Sequence, residues 1–86
     1  MRLIWTDKAI YDLEGVRFHV SSDNPSAGRK IVLRILNSAN DLVHYPVMGR
    51  TGSLPGTREL IVSNTPYIIP YRVREGAVEI LRVLHS

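Results

Sequence analysis

The fold of this 86-residue chain is decided by residues 57–85, which read TRELIVSNTPYIIPYRVREGAVEILRVLH. This segment contains three β-prone runs, at Thr57–Val62, Tyr67–Val73 and Ala77–His85. The breaks between the runs are four and three residues long, which suits hairpin turns. The segment therefore predicts a three-stranded meander.

Pro70 falls in the middle of the second run. Proline cannot donate a hydrogen bond to a neighbouring strand, so within sheets it is confined to edges, strand starts and bulges. We therefore expect either a local bulge beside Pro70 or a side of the strand that is left unpaired at that point.

The first half of the chain is predicted to be a short strand followed by two helices. Arg2–Trp5 is β-prone, and Thr6 or Asp7 after it is a good helix N-cap. Apolar residues then recur at helical spacing. Asn24-Pro25 starts a second helix with an N-cap and a proline in the first helical position, and Pro46 stops it.

The segment between the helices and the meander, residues 46–56, contains three glycines and two prolines and predicts a loop or an irregular extended segment. The simplest packing places both helices on one face of a four-stranded, mainly antiparallel sheet. A chain of this length is enough for one compact domain and too short for two. The expected class is α+β, with a single domain over residues 1–86.

The composition limits the chemistry and the partners. The chain has no cysteine, which excludes disulfides, thiolate metal sites and a cysteine nucleophile. His19 and His44 have no second ligand at useful spacing, so neither a metal nor a cofactor is expected. The net charge is +3 and nine of the eleven cations are arginine, which favours an acidic partner. No apolar run reaches membrane length, so a cytoplasmic protein is expected.

Four pieces of the chain, taken together, resemble the RelE/ParE superfamily of toxins. They occur in the family's order and at its spacing, and they cover essentially the whole chain. The pieces are Leu3-Ile4-Trp5-Thr6 with Ala9 and Asp12-Leu13, then Asn24-Pro25-Ser26-Ala27, then Gly49-Arg50-Thr51-Gly52 with Pro55-Gly56-Thr57-Arg58-Glu59-Leu60, and finally residues 66–73 with 80–85.

This resemblance implies the toxin of a type II toxin–antitoxin module, of the plasmid-stabilisation or addiction kind. A cognate antitoxin would wrap the toxin with a partly disordered, amphipathic and acidic segment. The superfamily divides by target. RelE-like members cut messenger RNA on the ribosome, whereas ParE-like members block DNA gyrase.

The residues expected of a nuclease favour the ParE-like branch. Metal-free RNA cleavage needs a base, an acid and cations that stabilise the phosphorane. The lysines of RelE-like nucleases fall on Glu59 and Ile61 here, and their arginine falls on Ile68. A branched alkyl group cannot stabilise a phosphorane. The leading hypothesis is therefore a gyrase inhibitor that acts by binding and is not an enzyme.

The counter-evidence is His85, which aligns with a histidine that takes part in acid–base chemistry in YoeB-like nucleases. Histidine as a residue type suits such chemistry. The tyrosine that follows it in those toxins is Ser86 here. In the alternative, a ribosome-dependent endoribonuclease, the catalytic residues would be His85, Glu59, Arg58 and Arg82. Otherwise His85 caps a loop or contacts the antitoxin.

Four arginines are candidates for binding the target or an anion, namely Arg50, Arg58, Arg72 and Arg82. The last three lie on successive predicted strands and could cluster across the sheet. Alternatively, they pair with carboxylates such as Glu59 or Glu79 and hold strands together. Arg58 and Glu59 are neighbours on one strand and point to opposite faces, so they should not pair. Arg58 is the arginine favoured for a functional role.

Overall fold

The computed structural model describes all 86 residues and places two helices on a mixed, mostly antiparallel sheet. The elements in chain order are β1 (Arg2–Trp5), α1 (Asp7–Asp23), α2 (Pro25–His44), β2 (Arg50–Thr51), β3 (Arg58–Ile61), β4 (Tyr67–Arg74), β5 (Ala77–Ile80) and β6 (Leu84–His85). The predicted α+β class, the first strand and both helices are confirmed. Neither helix combines the length and the apolar character needed to cross a membrane.

Both helices begin at the capping residues that the sequence provides. The side chain of Thr6 accepts a hydrogen bond from the backbone N–H of Ala9 at 3.2 Å. The side chain of Asn24 accepts one from the N–H of Ala27 at 3.1 Å, and Pro25 follows in the first turn of α2. Each cap satisfies a backbone donor that the first helical turn leaves without a partner.

The sheet has six strands, so the prediction of four was wrong. The order is β1-β5-β4-β3-β2, and β6 also pairs with β4. β1 runs parallel to β5, and the other pairs are antiparallel. The two additional strands are two residues each. One comes from the predicted loop and the other from the end of the predicted third strand.

The predicted third strand, Ala77–His85, is interrupted by a bulge. Tyr71 on β4 lies opposite Ile80 on β5, and Ile68 on β4 lies opposite Leu84 on β6. Three steps along β4 (71 − 68) therefore match four steps along the partner (84 − 80). One extra residue on one strand of an antiparallel pair defines a β-bulge.

Pro70 explains the position of this bulge. The backbone N–H groups of Leu81 and Arg82 both point to the carbonyl oxygen of Pro70, at 2.9 and 3.4 Å. In a strand, the nitrogen and the carbonyl of one residue point toward the same neighbouring strand. The nitrogen of Pro70, which carries no hydrogen, therefore also faces the bulge. The ladder is thus irregular where one donor is absent, and the predicted bulge is confirmed.

The core lies between α2 and one face of the sheet. On β4, Tyr67, Ile69 and Tyr71 are buried on this face, and the alternate residues point to the open face. α1 packs mainly against α2 and adds apolar side chains to the same core. The largest fully buried side chains are Tyr71, Ile35, Leu42, Ile69, Ile80, Val62 and Val78.

Candidate functional site

Two of the candidate arginines bind carboxylates on the neighbouring strand. Arg50 donates from Nε and Nη2 to Oε1 of Glu59, at 3.2 and 3.1 Å. Arg72 donates from Nε to Oε1 of Glu79 at 2.9 Å, and Nε of Arg74 lies 3.3 Å from the same oxygen. Arg50 is directly opposite Glu59 in the sheet, and Arg72 is directly opposite Glu79. These pairs tie strands together. For Arg72 this is the structural alternative given above, whereas the pairing of Arg50 was not predicted.

The third candidate, Arg82, binds a carboxylate on α1. Its Nε donates to Oδ2 of Asp12 at 2.6 Å and its Nη2 to Oδ1 at 3.1 Å, and the N–H of Val83 donates to Oδ2 at 3.1 Å. The hydrogen bond from Arg82 is the main reason that the pKa of Asp12 is lowered, and Asp12 in turn raises the pKa of Arg82. This contact fixes the bulge to the first helix.

Asp12 was not predicted to have a role, although its position in the sequence carried a signal. Asp12 lies three residues after Ala9 and four before Val16, and both of these are buried. A carboxylate at that spacing is on the side of the helix that faces the protein, so it requires a cationic or N–H partner. The identity of the partner was not readable because it lies 70 residues away in the chain.

The predicted cluster of Arg58, Arg72 and Arg82 does not form. Arg58 lies opposite Tyr71, so it is on the helix side of the sheet. Arg72 is the next residue along β4 and therefore points to the open face. Arg82 lies in the bulge and is held against α1. The prediction assumed one regular strand from residue 77 to 85. It also placed Arg58 and Arg72 on the same face of the sheet, whereas the register puts them on opposite faces.

The residues of the nuclease alternative are also dispersed. His85 lies opposite Tyr67, and Glu59 lies opposite Pro70 on the other side of β4. Their Cα atoms are offset by three residues along the strand and by two strand spacings across the sheet, which gives a separation of about 14 Å. Their side chains also lie on opposite faces of the sheet. The ring of His85 packs edge-on against Tyr67, with centroids 5.4 Å apart. The structure therefore does not bring His85 and Glu59 together.

Ile68, which occupies the arginine position of the nucleases, lies on the open face of the sheet. Its neighbours across the strands are Ile61, which is 57% exposed, and Leu84. The surface at this point is therefore a short row of three aliphatic side chains. None of these side chains can donate a proton or stabilise a negative charge.

Arg58 differs from the other three candidates. No carboxylate lies within 4.0 Å of its guanidinium. Its Nη1 donates to the backbone carbonyl of Gly49 at 2.9 Å and to that of Val47 at 3.4 Å. Its Nε and Nη2 make no hydrogen bond within the chain, and they are accessible to solvent. Arg58 thus presents an uncompensated positive charge on a fixed side chain.

The segment that holds Arg58 is itself fixed by Tyr71. The buried hydroxyl of Tyr71 accepts a hydrogen bond from the N–H of Gly49 at 2.9 Å and donates one to the carbonyl of Pro46 at 2.8 Å. A Cβ at position 49 would lie 2.7 Å from the ring and hydroxyl of Tyr71, so only glycine allows this approach. Tyr71 alternates along the strand with Tyr67 and Ile69 and is therefore buried on the same face. A buried tyrosine needs hydrogen-bond partners for its hydroxyl, so the sequence did contain a signal for this role.

Arg58 lies in the wall of an open pocket, which we call the Arg58 pocket. Val47 and Val73 at this pocket are 68% and 41% exposed. The hydroxyl of Thr57 already has a partner within the chain, because it donates a hydrogen bond to the carbonyl of Leu54 at 2.6 Å. The pocket is lined by Pro46, Val47, Thr51, Gly56, Thr57, Arg58 and Val73.

Comparison with known proteins now gives the family. Residues 3–86 match the family described as the ParE toxin of the type II toxin–antitoxin system parDE. The chain belongs to this family. Over 85 residues the ParE-family chain is 40% identical to a proposed toxin, Y4kP, of Sinorhizobium fredii, with 99% of this chain and 88% of that protein covered. It is 35% identical to toxin RelE2 of Caulobacter vibrioides, with 99% and 94% covered.

A solved structure agrees with the assignment. The ParE-family chain superposes with a TM-score of 0.90 on a chain from the chromosomal ParDE toxin–antitoxin system of P. aeruginosa. The two are 32% identical, and the match covers 100% of this chain and 96% of the other. The expected RelE/ParE fold is confirmed. Membership of a toxin–antitoxin family also implies a cognate antitoxin as partner.

Proposed function

We propose that this ParE-family toxin inhibits DNA gyrase by docking on it, without catalysing a reaction, and that its cognate antitoxin neutralises it. The pair acts in the cytoplasm as a plasmid-stabilisation module. Arg50, Arg58, Arg72 and Arg82 were the candidates for target binding. Of these, Arg58 is the one whose charge no carboxylate of the chain compensates.

The observation that carries this proposal is the aliphatic row around Ile68. An RNA phosphorane in the transition state needs cations and proton donors within hydrogen-bond distance. At the position where a nuclease has arginine, this toxin has Ile68, with Ile61 and Leu84 on either side. Such a surface supports contact with a protein better than chemistry on a phosphate.

The alternative is messenger cleavage on the ribosome, and two observations favour it. His85 is exposed at the end of β6, where a bound substrate could reach it. A relative, toxin RelE2, carries the name of the nuclease branch. Against this alternative, Glu59 is paired with Arg50, and Arg82 is paired with Asp12.

The two functions are separated by following DNA supercoiling and messenger integrity in the same culture. The toxin is expressed from a tightly controlled promoter, and plasmid topology and selected transcripts are sampled within the first doubling time. We expect loss of negative supercoiling while transcripts remain intact. Rapid transcript breakage with normal supercoiling would instead establish the nuclease. Absence of toxicity would mean a toxin fold that serves only as half of a stable complex.

His85→Ala supplies the matched variant for this experiment. His85 is exposed, its ring lies in a T-shaped arrangement with that of Tyr67, and its Nδ1 lies 2.9 Å from the carbonyl oxygen of Ser86, so its removal should leave the fold intact. A gyrase inhibitor should keep its toxicity in this variant, whereas a nuclease that uses His85 should lose it. Equal soluble expression of the two proteins is the control.

A further inference from the structure

We infer that the Arg58 pocket binds a carboxylate side chain of an acidic polypeptide, with an aliphatic residue of the same polypeptide packed on the rim of the pocket. This inference concerns the ligand of one site. It does not depend on the proposal that gyrase is the target.

The free edge of Arg58 is the edge that binds carboxylates elsewhere in this protein. Arg50 and Arg82 each use Nε and Nη2 to bind a carboxylate of the chain. Arg58 uses only Nη1 within the chain, so its Nε and Nη2 remain available. These two donors are parallel and match the two oxygens of a carboxylate. A carboxylate bound to this edge therefore has to come from another molecule.

The guanidinium is also held in place before any ligand arrives. Its Nη1 donates hydrogen bonds to the carbonyls of Val47 and Gly49. The backbone of that segment is in turn fixed by the hydroxyl of Tyr71, which binds Gly49 and Pro46. A long arginine side chain normally loses rotamer freedom when it binds a ligand. Here the fold has already restricted much of that freedom, so more of the interaction free energy is available for affinity.

The surroundings of Arg58 favour a peptide carboxylate over the phosphates of a nucleic acid. Nucleic-acid surfaces contact several phosphates at once through several free cations. Arg58 is the one cation that lines this pocket, and Val47 and Val73 beside it are exposed aliphatic side chains. Arg50, although near in sequence, is paired with Glu59 on the open face. One cation with an aliphatic rim matches an acidic residue that is flanked by an aliphatic one.

Two tripeptides of nearly equal shape test this proposal on the unmodified protein. They are acetylated and amidated Val-Glu-Val and Val-Gln-Val, which differ by one negative charge. Binding is followed by NMR on the isotope-labelled full chain, at the Nε–H signal of Arg58 and the amide signals of Thr57 and Val73. We expect saturable shifts, with the glutamate peptide about tenfold tighter than the glutamine peptide. Inorganic phosphate should bind more weakly than the glutamate peptide.

Two variants complete the test. Arg58→Met keeps the length of the side chain and should abolish the preference for glutamate. Arg34→Met should retain that preference, because Arg34 is an exposed arginine on α2 that makes no ion pair and lies outside the pocket lining. Equal affinity of the two peptides for the unmodified protein would overturn the proposal, as would tighter binding of phosphate. These comparisons need no variant, so they remain decisive if Arg58→Met does not fold.

Discussion

Removal of the Tyr71 hydroxyl should destabilise the protein by several times the usual effect of a tyrosine-to-phenylalanine change at the surface. The hydroxyl has two partners, the N–H of Gly49 and the carbonyl of Pro46, and Tyr71 itself is fully buried. A buried polar group that is left without a partner costs about 1–3 kcal/mol. Gly49 is buried and Pro46 is partly accessible to water, so the sum for Tyr71→Phe is about 2–4 kcal/mol.

This loss is large for so small a protein. At roughly 0.05–0.15 kcal/mol per residue, the free energy of unfolding of an 86-residue domain is about 4–13 kcal/mol. For a domain of this size, each kcal/mol lowers the melting temperature by about 4–8 °C. We therefore expect Tyr71→Phe to melt at least about 8 °C below the unmodified protein.

The assay is urea denaturation, followed by the fluorescence of the single tryptophan, Trp5, which packs against the core. Tyr11→Phe is the matched control, because Tyr11 is 77% exposed and its hydroxyl makes no hydrogen bond within the chain. The control should stay within about 0.5 kcal/mol of the unmodified protein. If Tyr71→Phe is as stable as Tyr11→Phe, the hydroxyl does not hold the segment that positions Arg58, and that part of the account is refuted.

Three further predictions concern single sites. Gly49→Ala should lower the free energy of unfolding because its Cβ would meet Tyr71 and the carbonyl of residue 59, whereas Gly15→Ala, with open space around it in a helix, should raise the free energy of unfolding by about 0.5–1 kcal/mol. The pKa of Asp12 is lowered in the folded state, so its contribution to stability is present above its ordinary unfolded pKa and is lost as the pH falls through the folded value. Urea midpoints measured from pH 6 to pH 2 should therefore fall less steeply in Asp12→Asn. Arg58→Ala should reduce toxicity in a growth assay while Arg34→Ala does not; equal toxicity of both at equal expression would refute the role of Arg58.

The sequence was informative wherever a residue acts on its own backbone. Thr6 and Asn24 cap the helices next to them, and Pro70 lacks an N–H, so the helix starts and the bulge followed from local chemistry. The family also followed from the sequence, because its motifs extend over the whole chain. The short strands β2 and β6 did not, because two residues carry no periodic pattern.

The side-chain partners at the candidate site were less predictable, because they depend on register. Whether Arg72 and Arg58 share a face depends on which residue of β3 lies opposite Tyr71, and the bulge after Ile80 changes the facing of Arg82. Parity did exclude a pair between Arg58 and Glu59, and this exclusion is confirmed. The free Nε–Nη2 edge of Arg58 could not be predicted, because it depends on where every carboxylate of the chain lies in the structure.

The central claim, that this ParE-family toxin acts on gyrase by binding, is tested most directly with purified components. Relaxed plasmid, ATP and gyrase are incubated with increasing amounts of the toxin, and the topology of the DNA is read on a gel. The account predicts that supercoiling falls as toxin is added and that the cognate antitoxin, supplied in equimolar amount, restores it. The account would be contradicted if a toxin preparation that cleaves messenger RNA on purified ribosomes leaves supercoiling unaffected.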